Sequence, residues 1–97
     1  MIKFELNSAL PIKEIKALYE KSIKFGQLSP EAFVVSTVNN NKPSARFVNI
    51  KEIKNNNLIF YTNYKSRKAK EIKINNNIAG VFYWKSINCQ IRIEGKI

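Results

Sequence analysis

The sequence predicts one small, mainly β domain that includes two helices, and three observations support this. Five short stretches are apolar, or alternate apolar and polar residues, as strands do. Asparagine triplets at 39–41, 55–57 and 75–77 separate these stretches, and asparagine favours turns. Short strands that follow one another favour an antiparallel meander, closed or partly closed into a barrel. The 97 residues are enough for a single domain, 1–97.

The first predicted element is a helix over residues 12–25, near the N-terminus. Apolar side chains recur there at helical spacing, and Pro11 suits the first turn of a helix. Gly26 suits the position just after its end. The residues expected on the shared face are Ile12, Ile15, Leu18, Tyr19, Ser22 and Phe25.

The second and third elements are predicted strands over 32–38 and 44–51, which the loop NNNKP joins as a hairpin. A third strand is predicted over 58–62, a short helix over 66–74 and a fourth strand over 78–84. The aromatic run of residues 82–84 in that fourth strand predicts packing in the core and at an interface.

The last predicted strand, 88–94, alternates two kinds of side chain, which is typical of a strand with one exposed face. Cys89, Ile91 and Ile93 are expected to face inward, and Gln90, Arg92 and Glu94 outward. A barrel of five strands would leave open edges, and such edges favour pairing with another chain. We therefore expect a dimer.

Composition excludes several kinds of protein. No apolar run approaches the roughly 20 residues that span a bilayer. Charged residues such as Glu5 and Lys13 stand where a secretory signal would be apolar, so we expect a cytoplasmic protein. The chain has no histidine and one cysteine, which excludes an internal disulfide, a catalytic triad and a plausible zinc site. We assign no catalytic side chain and no metal ligand, so an enzyme built on this chain would depend on a cofactor.

The net charge of +10 indicates an anionic partner, which could be nucleic acid, a membrane surface or a phosphorylated small molecule. Many lysines are scattered along the chain. Lysine, asparagine and isoleucine all have AT-rich codons, so a codon bias accounts for most of these lysines. The three arginines, Arg46, Arg67 and Arg92, are more informative, because a planar guanidinium binds phosphate or carboxylate at two points.

Residues 61–72, YTNYKSRKAKEI, place four cations at the predicted start of a helix: Lys65, Arg67, Lys68 and Lys70. The N-terminus of a helix already carries partial positive charge and disfavours cations. An anion bound by the helix end and the cations would resolve the conflict. Ser66 and Thr62 would add hydroxyl donors. The alternative is a solvated basic helix without a ligand, and the pattern alone does not decide between the two.

The sequence resembles the pyridoxamine 5′-phosphate oxidase family. The resemblance covers nearly the whole chain in order, and the matching stretches are RFVNIK (46–51), FYTNYKSRKAKEI (60–72), VFYW (81–84) and QIRIEGKI (90–97). It implies an antiparallel FMN-binding split β-barrel with an N-terminal helix and one short helix between strands. It also implies a homodimer that binds FMN at the subunit interface. The implied reaction oxidises pyridoxamine or pyridoxine 5′-phosphate to pyridoxal 5′-phosphate with molecular oxygen and yields hydrogen peroxide.

The resemblance also implies a role for particular residues. Arg46, Arg67 and Lys68 would bind the FMN phosphate, assisted by Thr62 and Ser66. The remaining cofactor residues would be Phe47, Val48, Asn49 and Ile50 beside the flavin ring, Tyr61 at the end of a strand, and Gln90. Lys51 would bind the phosphate of the substrate. From the pattern alone, Tyr61 would be a core residue and Gln90 would face the solvent.

Arg46 and Lys51 are five residues apart, so a regular strand places them on opposite faces. Both could reach one ligand region only if the strand ends, bulges or lies at a subunit interface. The chain is also shorter than family members with oxidase activity, and it lacks their C-terminal substrate residues. The alternatives are therefore a short flavin-binding barrel without this activity and, ranked lower, a basic barrel that binds nucleic acid. Nucleic-acid binding ranks lower because the aromatics lie in apolar runs, not between cations.

Overall fold

The computed structural model describes residues 2–6, 12–39, 41–61 and 77–96. The elements within them are β1 (Ile2–Leu6), α1 (Ile12–Lys24), β2 (Ala32–Asn39), β3 (Lys42–Lys54), β4 (Asn57–Phe60), β5 (Asn77–Trp84), a 3₁₀ turn (Lys85–Ile87) and β6 (Cys89–Lys96). Neighbouring strands are antiparallel and form a closed barrel in the order β1-β4-β3-β2-β5-β6. The fold is thus the antiparallel barrel that the sequence predicts. The predicted helix at 66–74 lies outside the described residues.

The prediction of a five-stranded barrel with open edges was wrong, because residues 2–6 form a sixth strand. β1 pairs with β4 from Ile2↔Phe60 to Glu5↔Asn57, and with β6 through Leu6↔Gly95 and Glu5↔Lys96. The signal was present in the sequence, since IKFEL alternates apolar and charged residues. β1 is the strand that closes the barrel.

The core fills the barrel from alternate positions of the strands, as the period of two requires. The aromatic side chains at its centre contact one another: the ring centroids of Phe33 and Phe82 are 4.6 Å apart, and those of Phe82 and Trp84 are 4.8 Å apart. Each large side chain buried in this way contributes about 1.5–3 kcal/mol to stability. Among the strand residues whose burial the structure describes, the remaining buried apolar ones are Val35, Val48, Ile50, Leu58, Ile59, Phe60, Ile78, Ile91 and Ile93.

Helix α1 packs against this core through Ile15, which is fully buried. The ring of Tyr19 meets that of Trp84 edge-on, with centroids 5.7 Å apart. The hydroxyl of Ser86 donates a hydrogen bond to the carbonyl oxygen of Ser22 at 2.9 Å. The Trp84 indole N–H donates another to the carbonyl oxygen of Pro30, also at 2.9 Å. These bonds fix the helix and the loop after it to the end of β5.

Strand β3 contains a β-bulge at Lys51. Its register with β4 shifts between Ile50, which pairs with Phe60, and Glu52, which pairs with Ile59. Because of this extra residue, Lys51 and Glu52 are both exposed, and Ile53 packs against the core. In the part of the chain that the structure describes, no helix is long and apolar enough to cross a membrane.

Candidate functional site

The candidate site lies where β3 extends beyond β4. β3 has 13 residues and β4 has four, and their last pair is Ile50↔Phe60. Residues 42–49 therefore pair only with β2 among the described strands. Arg46 lies within this overhang. The chain leaves β4 at Phe60 beside the overhang, and Tyr61 is the last described residue before the cationic segment.

Two hydroxyl groups hold the guanidinium of Arg46. Its Nη1 donates a hydrogen bond to Oγ1 of Thr37 and its Nη2 donates one to Oγ of Ser44, both at 2.9 Å. Thr37 and Ser44 are direct partners in the β2–β3 ladder, and their hydroxyl oxygens are 3.4 Å apart. Thr37 is 2% exposed, so its hydroxyl needs such a partner. Since hydroxyls are neutral, these bonds orient the cation without neutralising it.

Sequence reasoning missed Thr37 and Ser44 as parts of the site. A signal for them existed, because the predicted hairpin brings the two strands together. Ser44 and Arg46 are two residues apart, which places them on one face of a strand. The register that sets Thr37 opposite Ser44 was not predictable from the pattern.

The other predicted residues of β3 divide between its two faces. Val48 and Ile50 are core residues, so only their backbone groups are candidates for contact with a ligand. The Ile50 N–H already donates a hydrogen bond to the carbonyl oxygen of Glu31 at 2.9 Å. Phe47, Asn49 and Lys51 are exposed on the outer face.

The structure describes only part of the predicted phosphate site. Thr62, Ser66, Arg67 and Lys68 lie outside the described residues, and their roles stay predictions. Tyr61 is 61% exposed, so its interpretation from the pattern as a core residue was wrong. Its exposure just before Thr62 is compatible with a contact to a ligand.

Gln90 lies on the outer face of the barrel, as the alternation in β6 predicts. It pairs with Tyr83, which is 59% exposed, and so the predicted core role of the 82–84 aromatics holds for Phe82 and Trp84 only. Gln90 and Arg92 line a shallow groove of about 290 Å³ whose floor includes Val34 and Val81.

A row of side chains crosses this outer face from β3 to β6. The register places Phe47 beside Val34, Val34 beside Val81, and Val81 beside Arg92. Phe47 is 75% exposed, so an apolar surface extends from it towards the groove. Arg46 lies on the opposite, inward face of the same sheet. One copy of the chain therefore does not bring Arg46 and Gln90 together on one face.

The fold and the oriented arginine define a small antiparallel barrel with a candidate site for an anionic ligand. The family model described as pyridoxamine 5′-phosphate oxidase matches residues 13–97. The chain therefore belongs to the pyridoxamine 5′-phosphate oxidase family, as the resemblance implied.

Relatives named pyridoxine/pyridoxamine 5′-phosphate oxidase support this membership. The protein of Rubrobacter xylanophilus is 37% identical over 86 residues, which are 88% of this chain and 40% of that protein. The protein of Leptospira biflexa is 40% identical over 88 residues, or 90% of this chain and 42% of its own. The chain thus spans about two fifths of the length of these relatives.

Two solved structures share the fold. PhzG from Burkholderia lata 383, determined with tetrahydrophenazine-1-carboxylic acid, superposes with a TM-score of 0.85 at 25% identity. The match covers 93% of this chain and 45% of PhzG. A pyridoxamine 5′-phosphate oxidase-related, FMN-binding protein from Nostoc punctiforme superposes with a TM-score of 0.78 at 22% identity, over 92% of this chain and 48% of its own. The described barrel is therefore the split barrel of this family.

Proposed function

We propose that this chain binds FMN through the phosphate group of the cofactor. The supporting observation is the guanidinium of Arg46, which Thr37 and Ser44 orient in the part of β3 that extends past the end of β4. The segment that follows contains Arg67 and Lys68. A cation with a planar pair of donors suits a phosphate, so the described residues fit the cofactor that the family resemblance implies.

In this proposal the residues divide by the part of FMN that they contact. Arg46, Arg67 and Lys68 bind the phosphate through charge-assisted hydrogen bonds, with Thr62 and Ser66 as hydroxyl donors. Tyr61 adjoins this group at the end of β4. The backbone of residues 47–50 runs beside the flavin ring.

We further propose that a second copy of the chain completes the site. Arg46 and Gln90 lie on opposite faces of one sheet, so we assign Gln90 to a flavin ring that lies beside β3 of the partner subunit, and not to the phosphate. The exposed Phe47 and the apolar row beside it supply a surface for the contact between subunits. A homodimer through this outer face would bury that surface and bring Gln90 of one copy towards β3 of the other.

The proposed reaction is the oxidation of pyridoxine or pyridoxamine 5′-phosphate to pyridoxal 5′-phosphate. FMN, when bound, supplies the two-electron acceptor that the side chains of this protein lack. With pyridoxine 5′-phosphate, the C4′ alcohol loses two electrons and two protons to become the aldehyde. Molecular oxygen takes them up and becomes hydrogen peroxide. Lys51, exposed on the bulge of β3, would bind the substrate phosphate and hold the substrate in place.

The binding proposal is tested by adding FMN to the purified chain, desalting it and recording the visible absorption spectrum. The expected result is a retained flavin spectrum that is lost in the double variant Arg67→Ala/Lys68→Ala. The control is Lys13→Ala/Lys54→Ala, which removes the same charge at exposed positions away from the site. Equal retention by both double variants would contradict a phosphate site at residues 67 and 68.

The second candidate function is that of a flavin-binding barrel without oxidase activity. It is the alternative that the family resemblance leaves open, and the chain spans about two fifths of the length of the relatives named as oxidases. Peroxide formation from pyridoxine 5′-phosphate by the FMN-loaded chain separates the two candidates. Peroxide in proportion to pyridoxal 5′-phosphate supports the oxidase, and a flavin-loaded chain without turnover supports the second candidate.

A further inference from the structure

We propose that Thr37 and Ser44 are positioning residues that hold Arg46 ready for the phosphate of FMN. This inference rests on the proposed function, which it deepens. Neither residue is expected to contact the cofactor. Both act through the guanidinium of Arg46, to which each is joined by a hydrogen bond of 2.9 Å.

The β2–β3 ladder fixes the geometry of the three side chains. Thr37 and Ser44 are opposite each other, and Arg46 follows two residues later on the same face of β3. The two bonds use different nitrogens of the guanidinium, so together they set its plane as well as its position. A single bond would leave the group free to rotate about that contact.

The chemistry of the two acceptors suits this role. A guanidinium has five N–H donors, and these two bonds each use one of them. A carboxylate in either place would offset the charge of the cation, whereas a hydroxyl oxygen is neutral and orients the group without doing so. An arginine side chain has about 2 kcal/mol of rotamer entropy to lose on binding. Anchoring Arg46 in advance removes part of this cost from the binding of the phosphate.

The test compares FMN with riboflavin, which has the same ring and no phosphate. Both affinities are measured by flavin fluorescence for the wild-type chain, Thr37→Val, Thr37→Ser and Ser44→Ala. We expect Thr37→Val and Ser44→Ala to weaken FMN by about fivefold, as the loss of one hydrogen bond would, and to leave riboflavin unchanged. Thr37→Ser retains the hydroxyl and should retain the affinity for FMN.

The control is Ser29→Ala, which removes an exposed hydroxyl from the loop before β2. Circular dichroism checks that each variant is folded. Because Thr37 is buried and its valine variant could unfold, the half-buried Ser44 provides an independent test. A purely structural role would weaken both flavins equally, and that result would overturn the inference.

The failure of the inference is distinguishable from that of the proposed function. If the wild-type chain binds FMN no better than riboflavin, there is no phosphate site and both fail. If the wild-type chain prefers FMN and both Thr37→Val and Ser44→Ala keep that preference, the phosphate site stands and only the positioning role is wrong.

Discussion

Arg46 and Lys51 lie on opposite faces of strand β3. The side chain of Arg46 points inward to Thr37, and Lys51 is exposed at the bulge on the outer side. Lys51 keeps the alternation of β3 and lies on the face of Phe47 and Asn49. The bulge at Lys51 then turns Glu52 outward as well. Of the three arrangements that would bring both cations to one ligand region, a subunit interface is the one we propose, with Arg46 on FMN and Lys51 on the substrate.

The separation of the two cations predicts separate effects on cofactor and substrate. Arg46→Gln should weaken FMN about ten- to hundredfold, because a hydrogen bond to a charged group contributes about 1.5–3 kcal/mol. Lys51→Gln should leave the affinity for FMN within about twofold and raise the KM for pyridoxine 5′-phosphate. Flavin titration and steady-state kinetics measure the two effects. Equal loss of FMN affinity in both variants would contradict the division.

The exposed row on the outer face predicts the site of dimer contact. Phe47→Asp should weaken the dimer at least about tenfold, because it places a charge within an apolar contact. Sedimentation equilibrium measures the dissociation constant. The matched control is Phe25→Asp, since Phe25 is 60% exposed near the end of α1, away from this face. A dimer that is insensitive to Phe47→Asp, or a wild-type monomer, would count against the outer-face interface.

The close approach of Gly80 to Phe33 predicts a specific loss of stability. A Cβ at Gly80 would overlap the ring of Phe33, and that ring is fully buried. Gly80→Ala should therefore destabilise the fold by about 1–3 kcal/mol, as overpacking of a core does. Urea denaturation followed by circular dichroism measures this change.

The same overlap provides its own control through a double-mutant cycle. Phe33→Leu removes part of the ring at its own cost in buried area. If the ring causes the strain, Gly80→Ala should cost less in the Phe33→Leu background than in the wild type. Strict additivity of the two changes would show that the strain has another origin.

The raised pKa of the Tyr19 phenol predicts a loss of stability at high pH. Burial and, to a lesser degree, the negative charge of Glu31 raise its pKa above its ordinary value of about 10. The folded state therefore favours the neutral phenol, and its contribution is fully present below about pH 10. As the pH rises through the raised pKa, the unfolded state releases the proton more readily and this contribution is lost.

The variant Tyr19→Phe should reduce the fall in unfolding free energy above pH 10, since it has no proton to lose. Urea denaturation at several pH values between about 8 and 11 measures the slope. Tyr83→Phe, which removes an exposed phenol, is the matched control. The same slope in both variants would contradict the role of Tyr19.

The sequence predicted elements with clear periodicity and missed those that depend on partners. The helix at 12–25 and the 32–38/44–51 hairpin follow from local patterns, and both are confirmed. Strand β1 was missed because five alternating residues near a terminus are weak evidence until β4 and β6 pair with them.

The site was predictable to the extent that motifs define it. Arg46 followed from the family resemblance, but its anchor on Thr37 depends on cross-strand register. The exposure of Tyr61 and Tyr83 also depends on how strands end and which face they present. Their exposure removes one argument against nucleic-acid binding, namely that the aromatic side chains lie in the core. The neighbours of Phe47 in its row are Val34 and Val81, which favour an apolar contact over a cationic groove.

The most direct test of the central claim is equilibrium dialysis of the full chain against FMN and riboflavin at equal concentrations. We expect at least about tenfold tighter binding of FMN if Arg46 and the cations after β4 bind the phosphate as proposed. Added inorganic phosphate should reduce the binding of FMN by competition. Equal binding of the two flavins, or no binding of either, would contradict the proposal that this barrel is a phosphate-anchored flavin site.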